Sequence, residues 1–337
     1  NYSIPQNNVV DLKELKKKLY SLKKFPNWIP YKTSYYKKDW GFCISEKDKK
    51  NLPAGKYKVV IDSSLRKGKL DYAELIIEGK SKKEVFFSTY ICHPSMANNE
   101  LSGPILSTAL IKYIKENFKK TKFTYRFVFL PETIGSIMYI AKNQSILKKN
   151  IAAGFVLSCV GDNRNFSHIE SRLGNTIADQ ALEAALRDKK KFNKYSYLER
   201  GSDERQYCAP GIDLPVCGFS RTKYGEYPEY HTSADNLKLI SKKGYEGSLK
   251  VMQTIIDSFE GSLLPKSKFF CEPQLSKRNL YPTLGGKFQE DDIKRRMNIL
   301  SYSDGNHNIF EISKKINEPL NLVNKEVNVL LKYKLII

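Results

Sequence analysis

Apolar and polar residues change their spacing twice along this chain, and the changes divide it into three parts. Between about residues 81 and 262, short runs of β-branched and aromatic residues alternate with segments in which apolar residues recur every three to four positions. This pattern predicts an α/β domain, and apolar strands without alternation are typical of a mainly parallel, doubly wound sheet with helices on both faces. The predicted helices are 104–118, 136–143, 175–186 and 242–259.

The part before residue 81 contains shorter elements. A helix-like stretch at 11–22 precedes strand patterns at 56–62 and 72–78, and Gly- and Lys-rich turns separate them. We therefore expect a small β-rich domain over residues 1–80. Its aromatic residues could form either a wall for a ligand or the core of the small domain, and the core is the favoured interpretation. These residues are Trp28, Tyr31, Tyr35, Tyr36 and Trp40.

The last part has a helical pattern. Residues 263–282 are predicted to be a linker, and residues 283–337 to be a winged helix-turn-helix domain. The second helix is marked by the apolar residues Ile309, Ile312 and Ile316, and a proline ends it. A β element follows the third helix, and this order of elements is typical of a winged helix. The first and third helices are predicted at 291–301 and 320–333.

The third of these helices is the one that would contact DNA. It is only modestly basic and contains no arginine, so DNA is a candidate partner but not the favoured one. A contact with another protein and a lid over a substrate are the alternatives. The residues predicted to point outward are Asn321, Asn324, Lys325, Asn328 and Lys332.

The charge of the chain changes this picture little. Its 337 residues carry a net charge of +21, but the basic residues are 46 Lys and 11 Arg. Arginine is the residue that nucleic-acid grooves favour, and here the lysines are scattered through every segment. A solvated basic surface is therefore favoured over a dedicated nucleic-acid face.

The cysteines predict a reducing compartment. Six Cys occur without a Cys-x-x-Cys pair, so neither a disulfide framework nor a zinc ribbon is expected. Cys92, Cys159, Cys208 and Cys217 lie in apolar contexts and are predicted to be buried free thiols. The sequence has neither a run of about 18 apolar residues nor a secretory signal at its start, so we expect a cytoplasmic protein without a membrane span.

Candidate catalytic chemistry lies at the ends of three predicted strands. His93 follows the apolar run 85–91, Glu132 follows a second run, and Asp162 follows a third. Because ligands gather at the carboxyl ends of the strands in an open α/β sheet, these side chains are predicted to share a site. His231 lies before a probable helix cap and is the fourth candidate. Partial burial of Glu132 would suit it to general-base catalysis.

The segment from Gly201 to His231 is long, polar and aromatic, and connections of that kind usually carry function. Arg205, Arg221 and Tyr230 could bind a substrate carboxylate or a sugar. The alternative is that they hold the loop to itself.

The order of these segments resembles the co-catalytic zinc aminopeptidases, over roughly residues 80 to 260. That family has a strand-end His, an Asp in the following loop, a Glu-Glu pair, an Asp after the next strand and a late His. The resemblance implies that His93 and His231 are metal ligands and that Glu132 is the general base. The positions of the three remaining, anionic ligands are occupied by Asn99, by Thr133 and by Ser158 or Cys159.

These neutral replacements change the expected metal content. A dinuclear zinc site depends on carboxylates to offset four positive charges, and Asn, Thr and Ser do not supply them. We therefore expect one Zn²⁺ rather than two, held by His93 and His231, with Asp162, Asp203 or Glu132 as a third ligand. Asn99 is then expected to contact the substrate.

A closer resemblance is to a bacterial subgroup of aminopeptidase-like proteins met beside surface-polysaccharide genes. It rests on residues 92–104, 131–136, 201–208 and 223–232. The subgroup implies a small β-rich domain inserted into the catalytic domain, a C-terminal winged helix and further chain before residue 1.

Two functions are expected from these features. One is a metal-dependent hydrolase of a peptide, amide or amino-sugar-like bond, either monomeric or a homo-oligomer. The other is a catalytically altered binding or regulatory protein whose winged helix contacts DNA or a partner protein. His93, Glu132 and His231 favour the first, and the three neutral replacements favour the second.

Overall fold

The structure is a computed structural model that describes residues 3–34, 37–93, 95–189, 192–281 and 291–337. Tyr35, Tyr36 and the start of the predicted winged-helix domain lie outside the described residues. The strands are β1 (Gln6–Asp11), β2 (Leu19–Tyr20), β3 (Phe42–Cys43), β4 (Lys56–Ile61), β5 (Ala73–Ile77), β6 (Glu84–Tyr90), β7 (Thr124–Leu130), β8 (Ile151–Leu157), β9 (Ser167–Ile169), β10 (Asn193–Tyr195) and β11 (Val216–Ser220). The α-helices are α1 (Leu12–Lys17), α2 (Glu46–Lys50), α3 (Ser102–Asn117), α4 (Ile134–Asn150), α5 (Ile177–Leu186), α6 (Glu204–Tyr207), α7 (Lys242–Glu260), α8 (Asp291–Ser301), α9 (Ile309–Lys315) and α10 (Leu320–Lys332).

A mixed seven-stranded sheet forms the centre of the described structure, in the order β10-β9-β11-β8-β6-β7-β5. β6 pairs in parallel with both β7 and β8, and β8 pairs in parallel with β11. β5 runs antiparallel to β7, and β9 runs antiparallel to β11. The predicted mainly parallel sheet is confirmed for the central strands, whose carboxyl ends therefore meet at one edge.

Alternate residues of the central strands enter two separate cores, because successive side chains of a strand point to opposite faces. Val85 and Phe87 pack with the apolar faces of α3, α5 and α7. Phe86 packs with α4 and with Tyr207 of α6 on the other face. Every residue of β6 is buried, which explains why its sequence does not alternate between apolar and polar residues.

The part before the sheet differs from the sequence prediction in two ways. The helix predicted at 11–22 is only α1, because Leu19 and Tyr20 leave the helix to pair with β3, which buries Leu19. The strand predicted at 72–78 is β5, and it pairs with β7 at the edge of the large sheet instead of joining the small β-rich unit. That unit has its own core of Leu15, Leu19 and Val59.

The C-terminal helices α8, α9 and α10 lie where the pattern predicted them, and they share the core of the sheet domain. Phe310 of α9 contacts Phe259 of α7, with ring centroids 5.7 Å apart. Asn324 of α10 donates hydrogen bonds to Thr254 O and Ser258 Oγ of α7, at 3.2 and 2.9 Å. Asn324 therefore faces α7, and the prediction that it points outward was wrong.

Two further predictions concern cysteines and the membrane. The six cysteines are all free, and Cys159, Cys208 and Cys217 are buried as expected. Cys92 is exposed, contrary to the prediction, because it follows β6 at the edge of the sheet. In the part of the chain that the structure describes, no helix combines the length and the apolar character needed to span a bilayer.

Candidate active site

His93 lies just beyond β6 and is held there by Glu100. The backbone N–H groups of Cys92 and His93 both donate to the Glu100 carboxylate, the second at 2.8 Å. Glu100 Oε2 also lies 3.5 Å from His93 Nδ1, and Cys92 Sγ lies 3.0 Å from the same nitrogen. The side chain of His93 is 9 % exposed, and these contacts fix the direction in which its imidazole points.

Glu132 lies at the end of the neighbouring strand β7 and faces His93. Its Oε2 is 3.7 Å from His93 Nε2, and its Oε1 accepts a hydrogen bond from Ser202 Oγ at 2.7 Å. Burial raises the pKa of Glu132, although the Ser202 bond and the nearby His93 oppose the shift. A carboxylate in this state is a better proton acceptor near neutral pH than an exposed one.

A strained turn follows Glu132. Thr133 has φ +65°, a conformation that is an outlier for a β-branched residue. Asp203 Oδ1 accepts from Thr133 N at 2.7 Å, and Arg205 Nη2 donates to Thr133 Oγ1 at 2.6 Å. These bonds stabilise a backbone that is otherwise unfavourable, and strain of this kind clusters at functional sites.

His231 approaches His93 from a separate loop, and their ring centroids are 5.1 Å apart. Tyr230 stacks on His231 at 3.9 Å. His231 also has a positive φ, +56°, and its Nε2 is buried without a hydrogen-bond partner. The helix after this loop begins at Lys242, where the pattern predicted it, with Ser241 as its cap, and not directly after His231. The structure thus brings His93, Glu132 and His231 into one cleft at the carboxyl edge of the sheet.

The two imidazoles differ electrostatically. Burial lowers the pKa of His93, but the carboxylates of Glu100 and Glu132 outweigh it and the pKa is raised. Burial lowers the pKa of His231 to about 4, and the charge of His93 contributes to the shift. His231 is therefore a neutral imidazole at pH 7, which is the form that binds a metal ion.

Asn99 lies in a π-helix at Ala97–Leu101, a rare element that is frequent at functional sites. The Asp235 carboxylate accepts from the backbone N–H of Asn98 and Asn99, at 2.6 and 3.0 Å, and so holds the start of this element. Asn99 Nδ2 donates to Tyr90 OH at 2.8 Å, while its Oδ1 is buried without a partner. The side chain thus offers one unused acceptor.

Asp203 is buried beneath the Glu132 turn. Its Oδ1 accepts from Thr133 N and from Ser136 Oγ, whereas its Oδ2 has no hydrogen-bond partner. Burial raises its pKa to about 7, and the negative charge of Glu132 adds to the effect. These contacts hold the turn that follows Glu132. None of them indicates the metal-ligand role that was predicted for Asp203.

Asp162 does not fit the ligand role that the sequence suggested. Its two oxygens accept from Asn98 Nδ2, from Arg164 N and from both N and Oγ1 of Thr222, at 2.8 to 3.1 Å. These four bonds connect the loop of Asp162 to the π-helix and to the loop of Thr222. Asp162 is therefore committed to bracing the loops around the site, and its carboxylate has little left to offer a cation.

The three predicted substrate-binding residues of the long loop separate in the structure. Arg205 and Tyr230 lie beside Glu132 and His231, as described above. Arg221 is 4 % exposed, its guanidinium lies 3.7 Å from the ring centroid of Phe166, and it donates to Asn163 Oδ1 at 3.3 Å. Arg221 therefore connects the long loop to the segment after β8, and neither of the two roles suggested by the sequence describes these contacts.

Several site residues were missed from the sequence. Glu100 and Asp235 accept hydrogen bonds from backbone N–H groups, and Ser202 donates one to Glu132. None of the three residues therefore belongs to a sequence pattern that is typical of metal or substrate ligands. Tyr31 was noticed only as part of an aromatic cluster. Its ring centroid lies 5.5 Å from that of His93 and 5.1 Å from that of His231.

An apolar pocket of about 630 Å³ opens beside His93 and Glu100. The exposed side chains of Ile91, Leu101 and Leu237 lie around it. A second pocket of about 490 Å³ combines polar and apolar surface, and its lining includes Trp28 and Arg164. Asn236 lines both, so the two pockets adjoin.

The donor set around His93 fits one divalent metal ion better than two. Among the described residues, Cys92, His93 and Glu132 each place a ligand atom within 4.8 Å of the others. The unpartnered Nε2 of neutral His231 adds a further donor nearby. Glu132 is the one carboxylate of that group, and so little negative charge suits a single Zn²⁺ rather than two.

Two family models match consecutive parts of the chain. Residues 1–262 match the model described as "Domain of unknown function (DUF4910)". Residues 264–337 match a winged helix-turn-helix model, which confirms the predicted C-terminal fold.

A relative and a crystal structure, both from Clostridium acetobutylicum, are similar to nearly the whole chain. The relative, provisionally named for polysaccharide biosynthesis and an aminopeptidase-like domain, is 39 % identical over 323 residues, which is 94 % of this chain and 72 % of the relative. The crystal structure of a provisionally assigned peptidase covers all of this chain and 76 % of that one, with 36 % identity and a TM-score of 0.90. A zinc aminopeptidase from Bacillus subtilis shares the fold at 14 % identity, with a TM-score of 0.54 over 76 % of each chain.

Proposed function

The chain belongs to the DUF4910 family and is aminopeptidase-like, and we propose that it is a metal-dependent hydrolase of a peptide, amide or amino-sugar-like bond. The observation that carries the proposal is the convergence of Glu132, His93 and His231 in one cleft, with Glu132 buried enough to raise its pKa. Fold similarity alone would not suffice, because one fold supports many reactions.

Zinc is the proposed cofactor. His93 and His231 would hold the ion, with Cys92 as a third donor. A zinc ion held there would supply Lewis acidity, which lowers the pKa of a water molecule and polarises a carbonyl group.

Glu132 is the proposed general base. Its Oε1 is occupied by Ser202, so its Oε2 is the oxygen that would take a proton from the attacking water and return it to the leaving amine. Asp203 and Arg205 hold the turn at Thr133, and they would keep that oxygen in place while the proton moves.

The pockets suggest what the substrate contains. An apolar group would fit the pocket lined by Ile91, Leu101 and Leu237, and a polar group would fit the adjoining pocket with Trp28 and Arg164. Asn99 Oδ1 is placed to accept a hydrogen bond from a substrate N–H or O–H. The polysaccharide context in the name of the Clostridium acetobutylicum relative supports an amino-sugar-like substrate.

A second candidate is a binding or regulatory protein without turnover. Asn99, Thr133 and Ser158 or Cys159 occupy the positions at which the resemblance to the zinc aminopeptidases implies acidic ligands, and these neutral residues favour it. DNA stays the less favoured partner for such a protein, because the third helix of the winged-helix domain is only modestly basic and contains no arginine. The exposed residues of α10 are Asn321, Lys325, Asn328 and Lys332.

A substrate panel separates the two candidates. Zinc-loaded protein would be tested on aminoacyl, peptide and amino-sugar amides, with chelated protein as the control. If the protein is a hydrolase, we expect zinc-dependent turnover of at least one of these three classes of amide. Binding of such a compound without turnover would favour the second candidate.

A further inference from the structure

A short strap from the N-terminal unit lies across the His231 loop. Tyr31 N–H donates to His231 O and Ser233 N–H donates to Ile29 O, both at 2.8 Å, and Ser233 Oγ accepts from Ile29 N–H at 3.0 Å. Pro30 and Thr232 form an antiparallel bridge between these bonds. The strap thus pairs with residues 231–233 like a very short strand.

The strap is also anchored within its own unit. Trp28 stacks on Phe25 with ring centroids 4.4 Å apart. Pro26 O accepts a hydrogen bond from Lys47 N, in α2, at 3.0 Å. The position of Tyr31 is therefore set by the small unit and not only by the loop that it covers.

The ring of Tyr31 meets both histidines of the site. It approaches His231 edge-on, with centroids 5.1 Å apart and planes at 64°, and it is tilted against His93 at 5.5 Å. Tyr230 stacks on His231 as well, at 3.9 Å, so His231 has two tyrosines as neighbours. A ring held in this way has little freedom to rotate.

We propose that Tyr31 is a positioning residue of the active site, which fixes the His231 imidazole and closes the side of the cleft covered by the strap. The inference rests on the proposed hydrolase function, because that function makes His231 a zinc ligand whose orientation matters. His231 has a positive φ, which is uncommon outside glycine, and the Tyr31 N–H bond to its carbonyl helps to hold that backbone. The substrate would then enter from the open apolar pocket beside Leu101 and Leu237.

Chemical labelling tests the shielding without any need for activity. Diethyl pyrocarbonate modifies accessible imidazoles, and the chain has four histidines that mass spectrometry of peptides can follow separately. Labelling of His307, whose side chain is 31 % exposed, shows that the reagent is active. Labelling of the fully buried His168 would show that the protein has unfolded. In chelator-treated protein, Tyr31→Ala should speed His231 labelling several-fold, with His307 and His168 unchanged.

Matched variants separate positioning from general packing. Tyr31→Phe keeps the ring and should behave like the wild type. Ser233→Ala weakens the strap from the other side and should act in the same direction as Tyr31→Ala. Tyr333→Ala removes an exposed tyrosine after α10 and should change nothing at His231.

Zinc affinity and kinetics complete the test. Tyr31→Ala should weaken zinc binding roughly tenfold, as measured by chelator competition, because groups that orient a metal-binding histidine typically contribute that much. It should also lower kcat more than it changes KM. Unchanged His231 labelling and unchanged zinc affinity in Tyr31→Ala would overturn the proposal. If the wild type neither binds zinc nor hydrolyses any substrate, the proposed function fails, and the labelling result still decides the role of Tyr31.

Discussion

Nε2 of His93 lies 3.7 Å from Oε2 of Glu132, at the carboxyl ends of two neighbouring parallel strands. The register of β6 and β7 pairs Tyr90 with Leu130, so the residues that follow both strands emerge side by side. Each partner is also anchored from behind, His93 by Glu100 and Glu132 by Ser202. The sheet thus delivers an imidazole and a carboxylate to the same point.

A buried ion pair near the amino ends of the same strands should matter for stability. Arg126 Nη2 donates to Glu84 Oε1 at 2.9 Å and its Nε donates to Oε2 at 2.5 Å, and both residues are buried. Arg126→Met should lower the free energy of unfolding by about 3–5 kcal/mol, because it leaves a buried carboxylate without its partner. Denaturant unfolding measures this, with the exposed Arg66→Met as the control. A loss for Arg126→Met as small as for Arg66→Met would contradict the argument.

Asp203 should make stability depend on pH. The folded protein keeps its proton to about pH 7, whereas the unfolded chain releases it near pH 4. Between these values the folded state binds more protons, so this group lowers the free energy of unfolding as the pH rises. Asp203→Asn stays neutral, and it should therefore gain stability relative to the wild type between pH 4 and 8, by roughly 4 kcal/mol at most.

Unfolding curves of chelator-treated wild type and Asp203→Asn across this pH range provide the measurement. A stability difference that does not change with pH would show that Asp203 is ionised in the folded protein.

The metal content should not exceed one tightly bound zinc ion per chain. Asn99 offers an amide where a second ion would need an anionic bridge, and Thr133 is likewise neutral. Elemental analysis of protein purified without chelator should give at most one equivalent of zinc, and Asn99→Asp should move the value toward two. Two equivalents in the wild type would refute this explanation.

The sequence predicted the elements of this site better than their connections. His93 and Glu132 could be placed because each ends a run of apolar residues, and the carboxyl ends of parallel strands must meet. Asp162 ends a similar run, but its loop turns the carboxylate toward Thr222 and Asn98. The direction of a loop side chain depends on partners distant in sequence, and the strand pattern contains no information about them.

The same reason explains why Tyr31 was not assigned to the site. Its contacts with His93 and His231 join parts of the chain about 60 and 200 residues apart, through a backbone pairing that leaves no periodic pattern. The strand β5 was assigned to the wrong sheet for a related reason. The sequence pattern of an edge strand does not depend on which sheet the strand joins. Asn324 was predicted to face outward because the pattern of α10 contains no information about α7, which packs against it.

The proposed hydrolysis is tested most directly by measuring turnover and zinc content together in the wild type and in Glu132→Gln, on the substrate that the panel identifies. Glu132→Gln should lower kcat by about 10²-fold or more, because it removes the general base, while zinc content and folding stay nearly unchanged. His93→Ala is the matched comparison and should lower both zinc content and turnover, because it removes a ligand. A zinc-dependent rate that is the same in the wild type and in Glu132→Gln would contradict the role assigned to Glu132.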